Sequence, residues 1–421
     1  MDNIKFLHCA DLHIDSPFKG ISNINPDLKE LLYQSTFESF NNIIDLAIQE
    51  NVHCVIIAGD IYDGADKSLS AQLKFRNGLQ RLSDHGIPSF LVYGNHDPLD
   101  SWAASIEWPE NVFQYGGDKV ENYPLTVDGE VIAHIYGISF PTRDVFDNLA
   151  LQFNRVDENI LSIAVLHTNV GENTGHKSYA PATVDELKSR NMDYWALGHV
   201  HNFAILHDDN PTIVYPGNSQ ARNPREKGKK GCCMVTLHND GACEVVHIPT
   251  DVVRYNSSEL DLTDVETVED VIKIMTEKIN EISTHMDDRN VVLRLTLSGR
   301  CRVNGELNRG NNIEELTDQL REHFEGRTPW IWIEKIEPKT SGVYNVEELK
   351  KGNDFFGDII NYYEEIYKNE DDQISEIKEL LKPLFDNWQG QKYLKNLSDE
   401  EIIEIAKESR NWTLDQMVGD E

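Results

Sequence analysis

Positive charge is what this sequence has least of: 39 lysines and arginines stand against 72 aspartates and glutamates, a formal net charge of −33 over 421 residues. That balance excludes attraction of nucleic acid by the surface as a whole, so any contact with phosphates must rely on local basic patches, metal ions or a partner. Long apolar runs are missing too. No stretch approaches the roughly 20 apolar residues of a membrane span. The opening MDNIKFLHCADLHID has neither the basic nor the apolar region of a secretory signal, so the cytoplasm is the expected location. The six cysteines (Cys9, Cys54, Cys232, Cys233, Cys243, Cys301) form no CxxC pair. Four lie in apolar, strand-like contexts, which points to free buried thiols and a reducing compartment instead of disulfides or zinc sites.

What the sequence does have is alternation. Between residues 4 and 95, IKFLHCA, HCVIIA and SFLVY read as near-continuous apolar strands. The segments TFESFNNIIDLAIQE and SLSAQLKFRNGLQRLSD between them read as helices, giving a βαβαβ run covered by helices. After residue 110 the pattern becomes β-rich, with strands expected at 132–138, 162–167, 193–198, 212–216, 231–237 and 242–248, which two facing sheets accommodate. A shorter βαβαβ pattern restarts near 250. Three regions follow: 1–250, an α/β unit at 251–340, and a helical region at 341–421. The apolar stripes of that last region (Phe356, Ile359, Ile360, Tyr363, Ile366, Tyr367, then Ile374, Ile377, Leu381, Leu384) suit either a private core or a partner-binding face.

The chemistry gathers where strands end. The first strand finishes in Asp11 and His13, the second in Asp60 and Asp63, and the third in Asn95, His96 and Asp97; later strands finish in His167 and in His199 with His201. Asp, Asn and His are poor strand formers, and burying them unpaired would cost several kcal/mol apiece. Bound cations remove that penalty. Asp11, His13, Asp60, Asn95, His167, His199 and His201 are too many donors for one site of four to six positions, whereas two metals sharing a carboxylate fit the count. Such pairs clamp an in-line displacement at phosphorus. Mixed nitrogen and oxygen donors suit manganese, iron or zinc better than calcium or magnesium. His96, beside Asn95, is placed to protonate or stabilise a leaving oxygen, with Asp97 expected to orient it.

The ordered blocks DLH, GDIYD, GNHD, a lone histidine and GHVH, spanning residues 11 to 201, resemble the calcineurin-like metallophosphoesterase signature. HCADLHIDSPF, HTNVGENTGHKSYAP, DYWALGHVH and YPGNSQARNPREKGKKGCCMV are similar to the SbcD-type DNA repair exonucleases, especially their YhaO-like branch. The resemblance implies an α/β fold, a two-sheet sandwich flanked by helices (α/β/β/α) with a smaller α/β cap and a helical tail. It implies one metal on Asp11, His13, Asp60 and His201 and another on Asp60, Asn95, His167 and His199, usually manganese, with His96 catalytic. It further implies a homodimer that acts on DNA with an SbcC-type coiled-coil ATPase docked on the tail.

Two departures stand out: Asp63 replaces a histidine of archaeal and eukaryotic relatives, and Ala221 and Asn223 replace an expected glycine and histidine. Arg222, Arg225, Lys227, Lys229 and Lys230 form the densest basic run and are the expected DNA contacts. The competing readings are a small-molecule phosphodiesterase or protein phosphatase of the same fold, and a non-catalytic scaffold.

Overall fold

The computed structural model describes residues 3–16, 26–64, 68–171, 179–344, 346–351, 355–367, 371–386 and 397–418. Residues 172–178 of the HTNVGENTGHKSYAP stretch, and the side chains of Phe356 and Tyr367, lie outside the described set. The chain divides into two compact units. One comprises Met1–Asn256, Met286–Val292 and Arg327–Glu334; the other comprises Ser257–His285, Leu293–Gly326 and Lys335–Glu421.

In the first unit β1 (Asn3–Cys9), α1 (Pro26–Gln49), β2 (Cys54–Ala58), α2 (Leu69–Asp84) and β3 (Ser89–Val92) alternate as expected, and β4 (Val112–Gln114) follows β3 with no helix between them, a strand that the sequence reading did not mark. Next come β5 (Glu121–Val127), β6 (Glu130–Ile138), β7 (Leu161–His167), α3 (Val184–Lys188), β8 (Tyr194–Gly198), β9 (Ala204–His207), β10 (Thr212–Tyr215), β11 (Gly231–His238) and β12 (Cys243–Pro249). Two six-stranded sheets result, in the orders β12-β11-β1-β2-β3-β4 and β5-β6-β7-β8-β10-β9. The period-two alternation of each strand sorts its residues between layers. Val55, Ile57 and Leu91 join Phe40, Ile44, Phe75 and Leu79 of the two helices in one core. Ile56, Ala58 and Phe90 face Ile135, Ile163, Val165 and Ala196 of the other sheet. Leu166, Trp195 and Leu197 form a third layer with Leu149, Phe153 and Leu187. This is the α/β/β/α sandwich.

The helix α1 starts about ten residues before its expected beginning at Thr36. Pro26 opens it, where a missing N–H costs nothing. Its added turns bury Leu28 and Leu32 against Ala221, Val253 and Tyr255, a core patch invisible to a local reading of periodicity.

β13 (Val253–Asp261), β14 (Asn290–Ser298) and β15 (Ile331–Pro338) form a three-stranded sheet in that order. The second unit carries α4 (Val268–Thr284), α5 (Asn304–Leu307) and α6 (Asn312–Phe324), with Val271, Met275, Ile279, Leu316, Leu320 and Phe324 buried. In its tail α8 (Phe355–Tyr367) packs against α7 (Val346–Lys351), α9 (Asp371–Asp386) and α10 (Asp399–Val418). Ile360, Ile366, Ile374, Ile402 and Leu414 are buried there, while Phe355, Tyr362, Leu380, Leu384 and Trp412 are exposed. The tail therefore has both a private core and a separate exposed apolar set. Among the described residues no helix is long and apolar enough to cross a membrane.

Candidate metal centre

Parallel pairing decides where the polar tips meet. β1, β2 and β3 run parallel, as do β7 and β8, and β2 packs against both β7 and β8 across the sandwich. Backbone hydrogen bonds then lace the tips together. Asp11 N–H donates to Gly59 O at 3.0 Å and His13 N–H to Asp60 O at 3.0 Å. His199 N–H donates to the Asp11 carboxylate at 3.0 and 3.2 Å, joining one sheet to the other.

The side chains converge accordingly. His96 N–H donates to Asp60 Oδ1 at 2.9 Å. Asp60 Oδ2 then lies 3.4 Å from His167 Nε2 and 3.9 Å from His13 Nε2. His13 and His201 face each other Nε2 to Nε2 at 3.4 Å. Asn95 Oδ1 is 3.2 Å from both His167 Nε2 and His199 Nδ1. Asp11, His13 and His201 offer donor atoms within 4.8 Å of one another, and so do Asp11, Asp60 and His167. All seven candidate ligands thus meet in one place.

The local sequence explains why. A Cβ on Gly94 would lie 2.3 Å from Asp60 Oδ1 and 2.8 Å from the His167 ring; one on Gly59 would lie 2.5 Å from His167 Nδ1. These glycines make room for the imidazole. Asp11, His13, Asp60 and His199 all hold positive φ (50°, 43°, 50° and 106°), a strain of about 1–3 kcal/mol each that persists only where surroundings over-determine it.

The donors fit divalent cations. His167 Nδ1–H donates to Ala58 O at 2.9 Å, which turns Nε2 towards the Asp60 carboxylate, 3.4 Å away. Among the described residues His13 Nδ1, fully buried, finds no hydrogen-bond partner. Burial opposes a charge on His167, yet Asp60 and Asp11 raise its pKa to about 9. Two buried carboxylates demand a positive partner, and a proton on His167 or a divalent cation supplies it.

Residues 4–203 match the family model "Calcineurin-like phosphoesterase", and residues 255–341 match "Metallophosphoesterase YhaO, middle domain". The "Uncharacterized metallophosphoesterase YhaO" of Bacillus subtilis is 30% identical over 97% of this chain and 97% of its own. The chain belongs to the calcineurin-like metallophosphoesterases, with YhaO as a relative along nearly its whole length. The "DNA double-strand break repair protein Mre11" of Sulfurisphaera tokodaii is 28% identical over 57% of this chain and 61% of its own. Its namesake from Sulfolobus acidocaldarius is 21% identical over 90% and 98%.

In this phosphoesterase the partner of His96 is not the expected one. Asp97 is buried, and its carboxylate accepts N–H groups of Ile61 (2.7 Å), Tyr62 (3.3 Å) and Gly94 (2.8 Å), clamping two strand tips. Asp63 Oδ1 instead lies 2.9 Å from His96 Nδ1. Burial disfavours the charged His96, but the bond to Asp63 and the charges of Asp60 and Asp63 outweigh it and raise its pKa. Ser16 Oγ donates to Asp63 Oδ2 at 2.8 Å, and Arg222 Nη1 lies 3.2 Å from the same oxygen.

The basic run also divides. Arg222 turns inward to Asp63, with its side chain 13% exposed. Lys230 is buried and its ammonium donates to His201 O at 2.7 Å and Asn202 Oδ1 at 3.1 Å. Lys229 pairs with Asp287 at 2.8 Å. Arg225 and Lys227 are exposed. A run of like charges says nothing of direction, so sequence alone could not separate these roles. Nor did it mark Glu226, whose Oε1 lies 2.9 Å from His201 Nδ1. Burial opposes that carboxylate's charge, yet hydrogen bonds and nearby positive charge lower its pKa to about 2.

Proposed function

We propose that this phosphoesterase is a manganese-dependent DNA nuclease with a two-metal centre, working as a homodimer with an SbcC-type coiled-coil ATPase. The observation that carries the reading is the position of Asp60 Oδ2 between His167 and His13, which lets one carboxylate serve two cations. Asp11, His13, Asp60 and His201 would hold one, and Asp60, Asn95, His167 and His199 the other. Two such cations supply Lewis-acid polarisation of a phosphodiester and a nucleophile at neutral pH.

The chain's own residues do the rest. His96, its pKa raised and its side chain 34% exposed, holds a proton for the leaving oxygen, and Asp63 keeps the ring oriented through Nδ1. Arg225 and Lys227 are placed to contact a phosphate backbone. Similarity to proteins named for double-strand break repair over 57% and 90% of this chain supports DNA as the substrate.

The inward turn of Arg222 and Lys230 favours a second reading, a phosphodiesterase of small molecules, because it leaves only three of the run's five cations open to a long polyanion. The deciding measurement is metal content with cleavage of end-labelled linear DNA, with and without Mn2+, beside p-nitrophenyl phosphodiesters and phosphopeptides. Turnover of the small esters or peptides alone would remove the nuclease assignment.

A further inference from the structure

We propose that Glu226 is a positioning residue for one cation only, the one that His201 helps to hold; the inference rests on the two-metal reading above. Glu226 sits in the strap between β10 and β11. Its Oε2 accepts Arg222 N–H at 2.7 Å and Asn218 Nδ2–H at 3.0 Å. With that oxygen pinned, Oε1 meets His201 Nδ1 at 2.9 Å. A carboxylate accepts and does not donate, so the proton sits on Nδ1 and the Nε2 lone pair points towards His13 Nε2, 3.4 Å away. Lys230 fixes the same histidine from behind by donating to its carbonyl.

The other side of the centre is built differently. His167 receives the same orientation from a backbone carbonyl, Ala58 O, at 2.9 Å. A carbonyl orients the ring but carries no charge, whereas Glu226 adds a full negative charge that makes His201 a more basic ligand. The two positions therefore differ in strength. Glu226 tightens the position on the Asp11, His13 and His201 side and leaves the His167 side alone.

The test is a Mn2+ titration of the full chain after chelator dialysis, read by calorimetry, with thermal midpoints as the fold control. Wild type takes up two equivalents. Glu226→Ala weakens one of them by about tenfold to hundredfold and leaves the other unchanged, with Glu226→Gln intermediate because it keeps an acceptor without the charge. Asn223→Ala loosens the strap by removing the acceptor for Arg225 N–H, a contact that does not involve Glu226, and should alter neither affinity.

Two unchanged equivalents in Glu226→Ala would overturn the inference while leaving the two-metal reading intact. So would an equal weakening by Asn223→Ala, which would reduce Glu226 to a clasp of the strap. Fewer than two equivalents on wild type would overturn the two-metal reading and this inference together.

Discussion

Asp63 Oδ1 stands 2.9 Å from Nδ1 of His96, so a carboxylate from the tip of β2 sets the ring that its own neighbour Asp97 does not. A carboxylate on Nδ1 presents Nε2 outward and stabilises the imidazolium, the form a proton donor needs. Replacing His96 with alanine should lower hydrolysis on the order of 10² to 10⁴-fold while metal content stays at the wild-type value. Unchanged single-turnover rates would take His96 out of the mechanism.

Asp60 has one oxygen tied to the His96 backbone and the other between two histidines. Asp60→Ala should therefore lose both cations at once. Elemental analysis still finding two equivalents in that variant would contradict a shared carboxylate.

Gly94 has no room for a side chain, since a Cβ would meet Asp60 Oδ1 at 2.3 Å. Gly94→Ala should destabilise the protein by about 1–3 kcal/mol or more through overpacking and disturb the metal centre with it. Urea midpoints equal to wild type would show that the tip relaxes freely.

His8 links acidity to stability away from the centre. It is fully buried, with Tyr194 Oη at 3.0 Å and Leu197 O at 3.1 Å. Burial lowers its pKa to about 3, against the opposing pull of the Leu197 carbonyl. Because the folded value lies below the unfolded one near 6.5, the unfolded chain binds the proton more readily. The contribution is fully present above about pH 6.5 and is lost as pH falls towards 3, at up to roughly 1.4 kcal/mol per pH unit. His8→Gln should lose less stability than wild type between pH 6 and 4. Parallel urea midpoints for the two proteins across that window would refute it.

The exposed apolar residues of the tail offer a surface separable from its core. Leu380 is 71% exposed and Leu384 56%, both on α9. On the proposed function, substituting both with glutamate should abolish capture of an SbcC-type ATPase and leave metal-dependent hydrolysis and the thermal midpoint unchanged. Intact capture would move the docking site elsewhere.

Much of this was readable in the sequence because it was local and repeated. Each ligand-bearing tip follows an apolar run whose strand character is plain, and a glycine before Asp60, Asn95 and His199 marks the turn. The β-rich pattern after residue 110, added to the three strands before residue 95, was enough to foresee two facing sheets. α1 shows the limit: its first turns are held by Val253 and Tyr255, more than 200 positions away, and no window of neighbouring residues carries that information.

By itself the sequence determined which side chains could bind cations and that they would leave strands at one end, since pattern and residue type are properties of neighbours along the chain. Only the tertiary structure decided who faces whom. Asp63 and not Asp97 holds His96, Glu226 reaches His201, and Arg222 and Lys230 turn inward, because partner choice depends on loops folding back across the sandwich. Side-chain direction is settled by that packing, and charge or spacing alone does not contain it.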